Sequence, residues 1–173
     1  MRPKRQFLDN TMYHITSRTN SKEKIFDHKP GKALMMGVLK EAKEKYDFTM
    51  ANFCIMPTHI HLLLTPKKGA DLSKIMLWIK TSFTKRWNFL KNTSGHIWGN
   101  RYFSRPINGN GDYLTVMDYI DKNPVKKGLV LYPGDWKESG AYHVQHEIPG
   151  LVDYSEVDRI YFLEFTRQRL LLK

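Results

Sequence analysis

FTMANFCIMPTHIHLLLT, residues 48–65, is β-rich on both sides of Pro57-Thr58, and so short a proline-containing break reads as the turn of an antiparallel hairpin. Strand side chains alternate, so Ile60, Leu62 and Leu64 project from one face and His59 and His61 from the other. Working outward, MYHITSRT (12–19) is an alternating, β-rich first strand. Residues 29–46 carry Leu34, Val38, Leu39 and Ala42 at helical spacing, and residues 71–90 place Leu72, Ile75, Met76, Ile79, Phe83 and Trp87 on one stripe. RYFSRPI (101–107) is a fourth strand. The order β-α-β-β-α-β predicts an α+β, ferredoxin-like split βαβ sheet, its two helices covering the apolar face.

Beyond the sheet, a third helix is expected over about 111–122, stopped at Asn123-Pro124, with PVKKGLV as a short turn. From Tyr132 the chain is rich in loop residues, and an amphipathic helix begins near Ser155 with Val157, Ile160, Tyr161 and Leu163. No repeat or low-complexity tract divides the chain. The expectation is one domain over 1–173, a core of about 5–130 with an extension over about 131–173.

Hydrophobic residues make up 41% and charged residues 26%, ordinary for a globular chain. The balance of charge is not ordinary: a net +11, with a pI near 9.7, is the electrostatic footprint of a nucleic-acid binder. No apolar run approaches the roughly 18 residues of a membrane span, so no membrane partner is expected. MRPKRQFLDN is basic but lacks the apolar stretch and cleavage site of a secretory signal. Cys54 is the single cysteine, which excludes an intrachain disulfide and a thiolate zinc cluster and points to a reduced, cytoplasmic setting.

His59 and His61 are close enough on one strand face to ligate a single cation, or they are two exposed strand histidines. Tyr119 and Asn123, spaced i, i+4, share one face of the third helix. A phenol, with its pKa near 10, attacks phosphorus only when the phenolate is stabilised and the phosphate polarised. Two imidazoles and one amide oxygen would hold a cation for that purpose and leave positions open. Each residue also has a structural reading: Tyr119 as a packing tyrosine, and Asn123 as an N-cap ahead of Pro124. Among the other tyrosines, Tyr113 is expected to pack at the helix start, and Tyr13 and Tyr102 lie on strands.

PTHIHLLL (57–64) resembles the His-hydrophobe-His motif of single-tyrosine HUH transposases, and DYIDKNPVKKGLV (118–130) resembles the tyrosine-helix signature of their REP-associated branch. YHITSRTNSKEKIF, WGNRYFSRPI and DWKESGAY are similar to further segments of that branch, so the resemblance runs from about residue 5 to 145. It implies metal ligands at His59, His61 and Asn123 and a nucleophile at Tyr119. It also implies cleavage of hairpin-flanked single-stranded DNA through a 5′-phosphotyrosine link, with Mg2+ or Mn2+ as the divalent cofactor and a monomer or homodimer as the working form.

For DNA contact, Lys74, Trp78 and Lys85 fall on a second stripe of the second helix, where a tryptophan between lysines suits a base between phosphates. Arg2, Lys4 and Arg5 form a basic N-terminal arm, and Arg18, Arg101 and Arg105 lie on or beside strands. His14, on the first strand, is either a supporting neighbour of the metal pair or an ordinary sheet histidine. The rival function is a non-catalytic single-strand nucleic-acid-binding module on a ferredoxin-like sheet. That reading leaves the histidine pair unexplained.

Overall fold

The computed structural model describes residues 7–154. Arg2, Lys4, Arg5 and the expected C-terminal helix lie outside the described residues. Four strands, β1 (Tyr13–Arg18), β2 (Phe48–Met56), β3 (His59–Pro66) and β4 (Phe103–Pro106), form one antiparallel sheet in the order β2-β3-β1-β4. Helix α1 (Lys29–Lys45) and helix α2 (Leu72–Lys91) pack on each other, and helix α3 (Gly109–Lys126) packs on β2. This is the expected ferredoxin-like arrangement, followed by the expected third helix.

The β2–β3 turn is the two-residue Pro57-Thr58 link, and its register sets the whole site face. Cys54 lies opposite His61, His61 opposite Thr16, and Thr16 opposite Phe103. The next rows are Met56, His59 and Arg18 on one side, and Asn52, Leu63, His14 and Arg105 on the other. Directly paired residues point the same way. Three strands therefore contribute His14, Thr16, Arg18, His59, His61 and Arg105 to one face.

The opposite face carries Ile15, Phe53, Ile55, Ile60, Leu62 and Leu64, all fully buried beneath the α1–α2 layer. Burying each such side chain contributes roughly 1.5–3 kcal/mol, which holds the sheet to its helices. Asp71 caps α2, its carboxylate accepting from the Ser73 and Lys74 amides. Phe26, Phe83, Trp87 and Trp98 close one end of this layer as a ring cluster. The expected third helix departs from the sequence reading. It does not stop at Asn123-Pro124 but runs through the proline to Lys126, ending where Gly128 takes a φ of 66°. An interior proline costs about 3 kcal/mol. Burial of Val116, Met117, Ile120, Asp121, Asn123 and Pro124 against the sheet offsets that.

After α3 the extension closes the outer edge of β2. The Ile55 amide donates to the Glu138 carbonyl, Trp136 Nε1 to the Ile55 carbonyl, and the Asp153 amide to the Met50 carbonyl. A short helix α4 (Gly140–Gln145) lies between those contacts, and Asn52 sits so close to Gly140 that a Cβ there would strike its amide oxygen. The edge that could otherwise pair with another chain is covered.

Gly31 offers a direct test of the packing between α1 and the segment before it. A Cβ at Gly31 would fall inside contact distance of the Ile25 carbonyl oxygen and press on Trp87. Gly31→Ala should therefore lose about 1–3 kcal/mol of stability despite its better helix propensity, measured by urea unfolding. A stabilised variant would show that this approach is not tight.

Candidate active site

His61 is the most constrained side chain of the site face. It is only 2% exposed. Its Nδ1 lies 3.0 Å from His14 Nε2 and 3.1 Å from Thr16 Oγ1, while its Nε2 is buried and has no hydrogen-bond partner. The reading of both histidines as exposed strand residues fails for His61. His59 is half-buried, its ring 4.9 Å from that of His61, and its Nδ1 is 3.0 Å from Thr58 Oγ1. A threonine hydroxyl thus holds each ring through Nδ1, the arrangement that presents Nε2 as the ligating nitrogen.

Tyr119 stands over His61 and His14. Its ring is 5.5 Å from His61 and 5.9 Å from His14, both edge-on, and the residue is 41% exposed. Lys126, two turns along α3, lies with its ammonium 5.5 Å from the Tyr119 ring. Asn123 is not an N-cap: it lies inside α3, and its Nδ2 donates to the Tyr119 carbonyl at 2.7 Å. The amide oxygen takes no part in that bond. On the neighbouring turn Asn52 Nδ2 donates to Asp121 Oδ1 at 2.8 Å, which pins α3 to β2. Burial raises the Asp121 carboxyl to about 7 against that hydrogen bond.

All three histidines are held neutral, chiefly by burial. His14 falls to about 4, with Arg105 adding to the effect and Asp112 opposing it. His59 falls to about 4, helped by Arg18 and Lys127. His61 falls to about 2, helped by His59, His14 and Arg18. Neutral imidazoles are the form that binds a metal. Among the described residues no three His, Cys, Asp or Glu side chains converge on a cation position. The imidazoles of His59 and His61, neutral and held through Nδ1, suit a divalent ion that keeps open positions better than a closed zinc site, while the Asn123 side chain is turned to the Tyr119 carbonyl.

A cavity of about 490 Å3 opens at this point, lined by His14, Thr16, His61, Phe103, Val116 and Tyr119 among others. Arg18 and Arg105 also line it. Arg105 is committed to Asp112 in a two-bond pair of 2.9 and 2.8 Å that ties β4 to the start of α3. Arg18 and Arg101 are exposed, whereas Lys74, Trp78 and Lys85 sit on α2, in the layer on the other side of the sheet. Trp78 packs edge-on against Tyr46 of α1 instead of standing free between lysines. Tyr113 packs against the core, as expected. The sequence reading undervalued His14 and Thr16. Their shared alternation with Arg18 was visible, but the register that brings them to His61 was not.

The family profile described as "Transposase IS200 like" matches residues 7–123. The chain belongs to the IS200-like transposase family. Within it, the chain is similar to a REP-associated tyrosine transposase of Haemophilus influenzae, 34% identical over 110 residues, or 58% of this chain and 62% of that one. It is also similar to a REP-associated tyrosine transposase of Escherichia coli, 29% identical over 56% of each chain. The matches therefore span about three-fifths of these relatives' lengths. The fold is that of a solved REP-associated tyrosine transposase bound to a REP hairpin, with a TM-score of 0.72, 22% identity, and coverage of 91% of this chain and 93% of that one. The family match ends at Asn123, so it takes in both histidines, Tyr119 and the amide after it. No helix among the described residues is long and apolar enough to cross a membrane.

The depressed histidines make a pH prediction with a definite sign. Their folded values lie below the unfolded value near 6.5, so their contribution to stability is full above that pH and is lost as pH falls towards the folded values. Metal-free protein should melt at progressively lower temperature from pH 6.5 to 5, the three histidines outweighing the raised Asp121 carboxyl, which works in the opposite direction. His14→Gln should flatten that slope. A melting temperature unchanged down to pH 5 would contradict buried, neutral imidazoles.

Proposed function

We propose that this chain is a metal-dependent single-stranded DNA endonuclease and strand transferase, acting on hairpin-flanked DNA through a 5′-phosphotyrosine link. The observation that carries the reading is Tyr119, edge-on to His61 at the mouth of a cavity where the buried Nε2 of His61 has no partner. Residues 1–173 act as one transposase domain, the described part of the extension serving to cover the edge of β2.

His59, His61 and the Asn123 amide oxygen would hold the divalent ion, Mg2+ or Mn2+, whose chemistry is to polarise the scissile phosphate. The chain's own residues do the rest. His14 and Thr16 fix the His61 ring, and Asn123 ties its own side chain to the Tyr119 carbonyl, so one turn of helix positions both nucleophile and ligand. Lys126 places its ammonium 5.5 Å from the phenol ring, on the side where a phosphate would approach. The Tyr119 oxygen attacks phosphorus, and the bond from phosphorus to the 3′-oxygen breaks. The phenol proton is lost and the departing 3′-oxygen gains one, leaving a free 3′-hydroxyl and a protein-linked 5′ end. Attack on that link by a 3′-hydroxyl reverses the step and joins strands without ATP.

Support comes from the family and from its relatives. The two curated relatives are named tyrosine transposases, and the solved neighbour was captured on a REP hairpin. The net charge of +11 suits a polyanionic partner.

Tyr119→Phe keeps the ring and removes the attacking atom. Incubated with single-stranded hairpin DNA and manganese, wild type should give a protein–DNA adduct on a denaturing gel and Tyr119→Phe none, with hairpin affinity kept. Cleavage by the variant without an adduct would assign the attack to water. An adduct on the variant would assign it to another tyrosine. His14→Ala should still form the adduct, with metal affinity lowered about 10–100-fold, because it supports His61 without ligating. Unchanged metal affinity would remove His14 from the site.

A further inference from the structure

The catalytic cavity does not end at Tyr119. It shares Thr16, Arg18 and Phe103 with a second hollow, of about 680 Å3, along the end of β1. That one shares His96, Trp98, Gly99 and Arg101 with a third, of about 490 Å3, against α2. The three form one continuous track. Its floor is fixed by the strand-like run of residues 97–99 against 18–20: Asn20 donates to the Ile97 carbonyl at 2.8 Å and Gly99 to the Arg18 carbonyl at 3.0 Å. None of the residues lining the three hollows is acidic, while Arg18, Lys22, Lys80, Arg101 and Arg105 are cationic.

The third hollow has the chemistry of a base site. Leu77, Ile97 and Trp98 supply apolar wall, and Leu77 is an apolar side chain left 66% exposed on the helix. Lys80 stands at its rim, half-buried, with its ammonium 5.6 Å from the Trp98 ring. Its hydrogen bond, to the Asn100 carbonyl, is long at 3.5 Å, and no carboxylate pairs with it among the described residues. Burial of Lys80 disfavours its charge, so an incoming phosphate would relieve a cost already present. A flat apolar wall beside an uncompensated cation suits an unpaired base and its phosphate.

We propose that this track seats the unpaired DNA strand continuous with the scissile phosphate, its phosphates along Arg18 and Arg101 and an unstacked base in the α2 hollow beside Lys80 and Leu77. The proposal rests on the DNA-cleaving reading above and extends it to how single-stranded flank is held. It also moves the DNA contact of α2 from Lys74, Trp78 and Lys85 to the flank that carries Leu77 and Lys80.

The test measures binding to hairpin DNA with and without a single-stranded tail of about eight nucleotides, all in Tyr119→Phe so that nothing is cut. Lys80→Met and Lys85→Met remove the same charge from the same helix, one inside the hollow and one outside. Leu77→Glu is a second, exposed variant of the hollow, and thermal melts show that each variant is folded. Lys80→Met and Leu77→Glu should each weaken the tailed hairpin about tenfold, leave the blunt hairpin unchanged, and differ from Lys85→Met. Equal loss on tailed and blunt DNA, equal loss in Lys80→Met and Lys85→Met, or no tail preference before mutation would overturn the proposal. Adduct formation by the Tyr119-containing protein, assayed in parallel, separates the two claims. An adduct without the tail effect sinks the track alone, and a Lys80-dependent tail effect without any adduct sinks the chemistry alone.

Discussion

One buried imidazole organises the functional face of this molecule. His61 lies in the centre of the sheet, flanked by β1 and β2, with its Nδ1 against His14 and Thr16 and its Nε2 unsatisfied. A buried polar atom without a partner costs about 1–3 kcal/mol. On the proposed mechanism a divalent ion would meet that atom and relieve the cost. Everything else on the face is arranged around it. His59 presents a second ring two residues away, α3 sets Tyr119 against it, and burial keeps both rings neutral, with Arg18 adding to the effect.

The sheet separates stability from chemistry. One face is apolar and fully covered by α1 and α2, so the strands are anchored without using the polar residues of the other. On the site face α3 is held by the Asn52–Asp121 bond, by the Arg105–Asp112 pair and by apolar burial from Val116 to Pro124. Those ties fix the helix on both sides of the turn that carries Tyr119. The extension matters to the same end, because it covers β2 and brings Gly140 against Asn52, the residue that holds Asp121.

The hairpin at 48–65 carried most of the fold in plain view. A two-residue proline turn between β-rich runs, followed by amphipathic stripes, left little choice of architecture. The joint placement of His59 and His61 followed from strand alternation alone. Four features were not legible. The helix through Pro124 obeys tertiary burial over the local rule that proline ends a helix. The part played by His14 depends on the β1–β3 register, which no local pattern specifies. Trp78 looked like a stacking residue between lysines, yet it packs on Tyr46, because a stripe on a helix does not reveal which neighbour covers it. The α2 flank with Leu77 and Lys80 escaped notice because its hollow is completed by residues 96–102, distant in sequence.

On the proposed mechanism His61 and His59 present Nε2 to a divalent ion while His14 only supports them. The most direct measurement is imidazole nitrogen NMR of Tyr119→Phe during addition of substoichiometric Mn2+. Selective broadening is expected at Nε2 of His59 and His61 and at the Asn123 side chain, with His14 affected less. Broadening centred on His14, or spread over surface carboxylates with His59 and His61 unaffected, would contradict that mechanism.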